Sequence, residues 1–169
     1  MSFLAALPLL LFAPATLETR SDKVIDLFVK VCLKGEARFR KGEAKKVSSN
    51  ALPRHMGAFN TQGQFYQIRR PAEAWLAVRD ARTRHEPHSR TCRVGARKVD
   101  VRSAADRVRS YLGLPPLPGR SELASYEENY LNGGARFEVR RTGWFDFVTL
   151  TSYVLTPEAA ERARRKTAP

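Results

Sequence analysis

Cys32 and Cys92 constrain this chain more than any other feature, because they are its only cysteines and lie far apart along it. Ile25, Phe28 and Cys32 succeed one another at helical spacings of three and four residues, which places Cys32 on the apolar stripe of a helix. Cys92 alternates with Val94 and Ala96, the inward positions of a strand. Both thiols are therefore expected to point at one core. An oxidising compartment would join them, and closing a loop of that length stabilises by about 4 kcal/mol in the chain-entropy treatment. Two buried, reduced thiols are the alternative.

The N-terminus bears on the compartment. An uncharged apolar run, Phe3 to Phe12, leads into Ala13-Pro14-Ala15, the small-x-small pattern of a signal-peptidase site. Residues 1–15 are read as a leader and residues 16–169 as one globular domain that begins at Thr16. Only the amine of Met1 supplies positive charge ahead of the run, and an N-terminal helix packed on the domain is the competing reading. A membrane span is not expected, since Glu18 and Arg20 close the run and Pro8 and Pro14 interrupt it.

Local patterns predict the elements. Thr19 or Ser21 caps a helix with Val24, Ile25, Phe28 and Cys32 on one face, ending near Gly35. Glu36 to Lys46 reads as a marginal helix, and Ser48 to Gly63 as a loop. Gln64–Arg70 and Trp75–Ala81 read as a hairpin, with a helix from Ala72 to Arg84 as competitor. Arg82–Arg90 is a loop, Thr91–Val99 the Cys92 strand. Asp100 or Ser103 opens an amphipathic helix carrying Val101, Ala105, Val108 and Leu112, with Ser103 and Asp106 at capping-box spacing. Leu114 to Gly119, rich in proline, is expected to cross the surface between elements. Ser121–Leu131 reads as either a polar helix or an edge strand. After the Asn132-Gly133-Gly134 turn, Ala135–Arg141 and Trp144–Leu155 form a second hairpin, and Pro157 starts a C-terminal helix that ends in Arg164-Arg165-Lys166.

The order predicts an α+β domain: an antiparallel sheet of about five strands, helices packed on one face, and one disulfide. A helix carrying Phe28 with Cys32, a strand carrying Cys92 with Val94, and the amphipathic stretch Val108 to Leu112, behind a leader, resemble small uncharacterised secreted or envelope proteins of Gram-negative bacteria. The resemblance implies a periplasmic or secreted protein and carries no functional residues.

The net charge is +13, with Arg outnumbering Lys 22 to 8. Arg79 to Arg109 holds ten basic and four acidic residues; Arg82, Arg84, Arg93 and Arg97 are the candidate anion-binding residues, with Arg93 and Arg97 expected to face solvent together. Such a surface attracts polyanions, and after export the accessible ones are lipopolysaccharide, anionic lipid or acidic polysaccharide rather than nucleic acid. A compositional Arg bias without any binding role is the alternative. His85 and His88 with Cys92 form the one metal-like spacing, H-x2-H-x3-C, although Pro87 opposes the helix such spacing favours and a disulfide would consume Cys92. No G-x-S-x-G, Walker loop, H-E-x-x-H or G-x-G-x-x-G occurs, so no catalytic residue and no cofactor is assigned. Glu127 and Glu128 are adjacent and point to different sides. Trp75, Trp144, Phe145 and Phe147 read as core aromatics rather than a binding cleft. The function expected is that of a non-enzymatic envelope protein, structural or accessory to a larger assembly, with an anion-binding module as runner-up and a metal-binding protein as a remote third.

Overall fold

The computed structural model describes residues 20–36, 38–56, 63–69, 73–80, 87–119, 122–143 and 146–167. The leader segment, Arg82, Arg84, His85, Trp144 and Phe145 lie outside the described residues.

Helix α1, Arg20–Phe28, buries Val24, Ile25 and Phe28 and runs on as a π-helical turn, Val29–Leu33, in which Val31 and Cys32 are both buried. The Lys34 amide donates to the Val29 carbonyl at 3.0 Å, and Gly35, at φ +75°, ends the helix in the left-handed region. Seven strands form one antiparallel sheet: β1 Ala44–Val47, β2 Gln64–Ile68, β3 Ala74–Asp80, β4 His88–Arg97, β5 Ser125–Tyr130, β6 Ala135–Thr142 and β7 Phe147–Leu155. Their spatial order is β1-β2-β3-β4-β7-β6-β5, so both hairpins stand as expected and β7 pairs with β4 on one side and β6 on the other.

Two strands exceed the expected five, and they are the edges of the sheet. β1 occupies the stretch read as a marginal helix. Its Ala-Lys-Lys-Val lacks apolar alternation, and pairing with β2, from Ala44↔Ile68 to Val47↔Phe65, overrides its helix propensity. β5 takes the edge-strand option, with Tyr126, Glu128 and Tyr130 directed to the helix-bearing face and Glu127 and Asn129 to the other.

Helix α2, Val101–Tyr111, packs beside α1 on one face of the sheet and buries Val101, Ala104, Ala105 and Val108. Asp100 is its N-cap: the carboxylate accepts from the Ser103 amide at 2.7 Å, and that bond, with Ser103 and nearby arginines assisting against some burial, lowers the Asp100 pKa. The expected Ser103–Asp106 box is not formed. Asp106 instead accepts from the Leu117 amide at 2.7 Å, and Arg109 Nε donates to the Pro115 carbonyl at 2.7 Å, so the proline-rich crossing is tied down along α2. The main core lies between this face and the two helices, with Phe28, Leu76, Val94, Phe137 and Leu150 fully buried. Tyr130 and Ser152 satisfy each other's hydroxyls there at 2.7 Å, and burial raises the Tyr130 pKa.

The Cys32–Cys92 disulfide crosses this core with Cα atoms 5.3 Å apart, fastening the π turn to the central strand β4. The opposite face carries a smaller apolar cluster of Met56, Phe65, Ala77 and Phe147, capped by the 3-10 turns Ser49–Ala51 and Arg54–Met56. Trp75 packs against it, its ring centroid 5.9 Å from that of Phe147. Helix α3, Pro157–Thr167, also reaches this second face, so two of the three helices, rather than all of them, cover the first.

Candidate functional site

The part of the second face that the described residues leave uncovered is the candidate site. Alternation along β6 and β7 delivers Arg136, Glu138, Arg140 and Tyr153 to it, and β4 brings Arg93 to its border under the cap. Tyr153 stands at its centre: its hydroxyl receives the Arg93 Nη2 proton at 3.3 Å and donates to Glu138 Oε2 at 3.4 Å. One side of its ring meets His88 edge-on at 4.8 Å, and the Arg136 guanidinium lies 4.7 Å from the centroid. Arg136 also donates to Glu127 at 2.9 Å, and Arg140 pairs with Glu138 at 2.7 Å. Next to this network is a groove of about 340 Å³ between the sheet and α3, where Leu155 and Ala159 add apolar surface and His88, Asn129, Arg136 and Arg162 line the walls with Glu127.

The candidate residues fare differently. Arg93 and Arg97 do share a face, but only Arg97 is exposed. Arg93 is half-buried beneath the cap over residues 48–56, donating from Nε to Thr151 Oγ1 at 2.8 Å and from Nη1 to the Met56 carbonyl; it anchors the cap rather than facing solvent. The expectation that both face solvent is corrected by that cap, whose approach is visible only in three dimensions.

The metal-like spacing also comes apart. Cys92 is held in the disulfide, and the β4–β7 register shifts between His88 and Arg90. That bulge places His88 opposite Leu155, on the second face, while Cys92 lies opposite Ser152 in the core. In an unbroken strand the two even-numbered residues would share a side. Among the described residues no three metal-ligating side chains gather.

Glu127 and Glu128 do divide between the faces. Glu127 pairs with Arg136, while Glu128 is held with Tyr126 by Arg109 of α2, closing the β5 edge. Burial, then the Glu128 carboxylate, raises the Tyr126 pKa. The sequence signal for the open-face network was the alternation Arg136-x-Glu138-x-Arg140 against Phe137 and Val139; the same period puts Tyr153 on the face of Phe147 and Leu155, but nothing in the sequence marks it as the centre of a network. Arg136 pairs with Glu127 at the groove and Arg140 with Glu138 beside it, so much of the charge on this face is matched within the fold. No family model, no curated protein and no solved structure matches this chain, so these faces and their chemistry carry the functional reading.

Proposed function

We propose that the chain is an exported, non-enzymatic protein of the cell envelope, structural or accessory to a larger assembly, and that the open sheet face and its groove make the contact. The observation that carries the reading is the buried Cys32–Cys92 bridge: structural disulfides persist where the compartment oxidises and are rare where thiols are kept reduced. The sequence reading of residues 1–15 as a leader supports the same address. The groove supports binding over chemistry, because Arg136 is matched to Glu127 and lies over the Tyr153 ring while Leu155 and Ala159 give the groove an apolar wall.

The test is expression of the full chain in a Gram-negative host, with thiols alkylated in the intact cells before lysis. The expected product lies outside the cytoplasm, starts at Thr16 and has no alkylated cysteine. Material that starts at Met1, stays in the cytoplasm and carries two alkylated thiols overturns the reading. The runner-up, an anion-binding module, draws on the net charge of +13, and the charge layout gives it a definite location.

A further inference from the structure

Most arginines near carboxylates are used inside the fold. Arg107 bridges Asp22 and Asp26, Arg109 takes Glu128, Arg136 takes Glu127, Arg140 takes Glu138 and Arg102 takes Asp106. The β1 edge is built otherwise. Arg38, Arg40, Lys41, Lys45 and Lys46 fall within nine residues, and all five are exposed. Among the described residues none of the five forms an ion pair. The one carboxylate in that stretch, Glu43, is engaged with the Arg40 amide at 2.8 Å, and the next before it is Glu36.

The residue types matter as much as the count. The chain has only 8 lysines against 22 arginines, yet three of the eight, Lys41, Lys45 and Lys46, stand on β1 and the turn before it. A general preference for Arg does not place lysines at one edge. Edge lysines also keep sheets from pairing with one another, but one or two on the strand suffice for that, and here the cations continue back through the loop to Arg38.

We infer that the β1 edge docks on an anionic lipid surface. A flexible ammonium is a compact charge that suits a fluid array of headgroup phosphates, whereas bidentate recognition of one fixed anion favours arginine. Nucleic acid fits less well, because Phe39 of the strip and Tyr66 of the adjoining β2 have their rings 5.4 Å apart and pack on the core, so they offer no free platform for stacked bases. The choice of lipid over nucleic acid rests on the envelope reading; the charge layout does not.

The experiment uses the purified, oxidised full chain and co-sedimentation with phosphatidylglycerol-containing vesicles, pure phosphatidylcholine vesicles and duplex DNA at low and physiological salt. A basic residue at an anionic surface contributes about fivefold in affinity, so the triple substitution Lys41→Ala, Lys45→Ala, Lys46→Ala is expected to bind the anionic vesicles about a hundredfold more weakly. A control that removes equal charge elsewhere, Lys23→Ala, Arg54→Ala, Arg165→Ala, is expected to stay within a few fold of the parent. All the proteins carry the same N-terminal segment, so its own affinity for bilayers cancels in the comparison, and circular dichroism with a Lys→Gln triple guards against misfolding. The inference is overturned if the parent ignores anionic vesicles at low salt, if the edge variant binds as the parent does, or if DNA is bound more tightly than the vesicles at equal salt. Failure of the envelope reading is separate, since it appears as cytoplasmic location and alkylated thiols in the cell.

Discussion

Single positions decide how closely the second face can be covered. Gly95, in the middle of β4, lies under the cap over residues 48–56, and a Cβ there would come within 2.3 Å of Met56 Sδ and 2.8 Å of the Phe147 ring. Its value is the missing side chain, because Met56 and Phe147 occupy that space and both are buried. Arg93 depends on the same close approach, since its bond to the Met56 carbonyl requires the cap to sit low on the sheet. Gly95→Ala is therefore expected to lower the unfolding free energy by about 1–3 kcal/mol through overpacking, read from the urea midpoint at unchanged slope. An unchanged midpoint would mean that the cap lifts at no cost.

At the scale of elements, the edges are where the fold departs from its local signals. β5 is polar at every second position and stays in the sheet because Tyr126 and Tyr130 pack on the core while Arg109 holds Glu128 and Tyr126 from α2. Arg109 is the joint of that corner, also binding the proline-rich crossing through Pro115. Arg109→Ala strands a half-buried carboxylate and a carbonyl and is expected to cost about 1–3 kcal/mol. The loss should be local, with amide hydrogen exchange accelerated in β5 and residues 114–117 and little changed in β3, β4 and β7. Uniform acceleration across the sheet would contradict that role. The other edge, β1, shows why propensity misled: Ala44, Lys45 and Lys46 favour a helix in isolation, and the ladder to β2 outweighs the preference.

At the scale of the whole molecule, the disulfide ties an early helix to the central strand across a sequence separation of 60. Replacing both cysteines, Cys32→Ala with Cys92→Ala, is expected to lower the unfolding free energy by about 4 kcal/mol, a large share of the 5–15 kcal/mol typical of a domain. Equal urea midpoints for the double variant and the oxidised parent would show that the bridge adds nothing. What the sequence by itself determined were features carried within one segment: the stripes of α1 and α2, the two hairpins, the inward aim of Cys32 and Cys92, and the division of Glu127 from Glu128. Each follows from a 3.6- or 2-residue period, which neighbouring residues set without distant help. Tertiary structure alone decided that β4 and β7 adjoin, that β1 is a strand, that a bulge turns His88 away from Cys92, and that Arg93 lies beneath the cap. These depend on partners distant in the chain, and the site on the open face is made almost wholly of such encounters. The alternation of Arg136, Glu138 and Arg140 was legible as an exposed strand face; that Tyr153 would gather them was not, because only the β6–β7 and β4–β7 registers bring the three strands' side chains into reach.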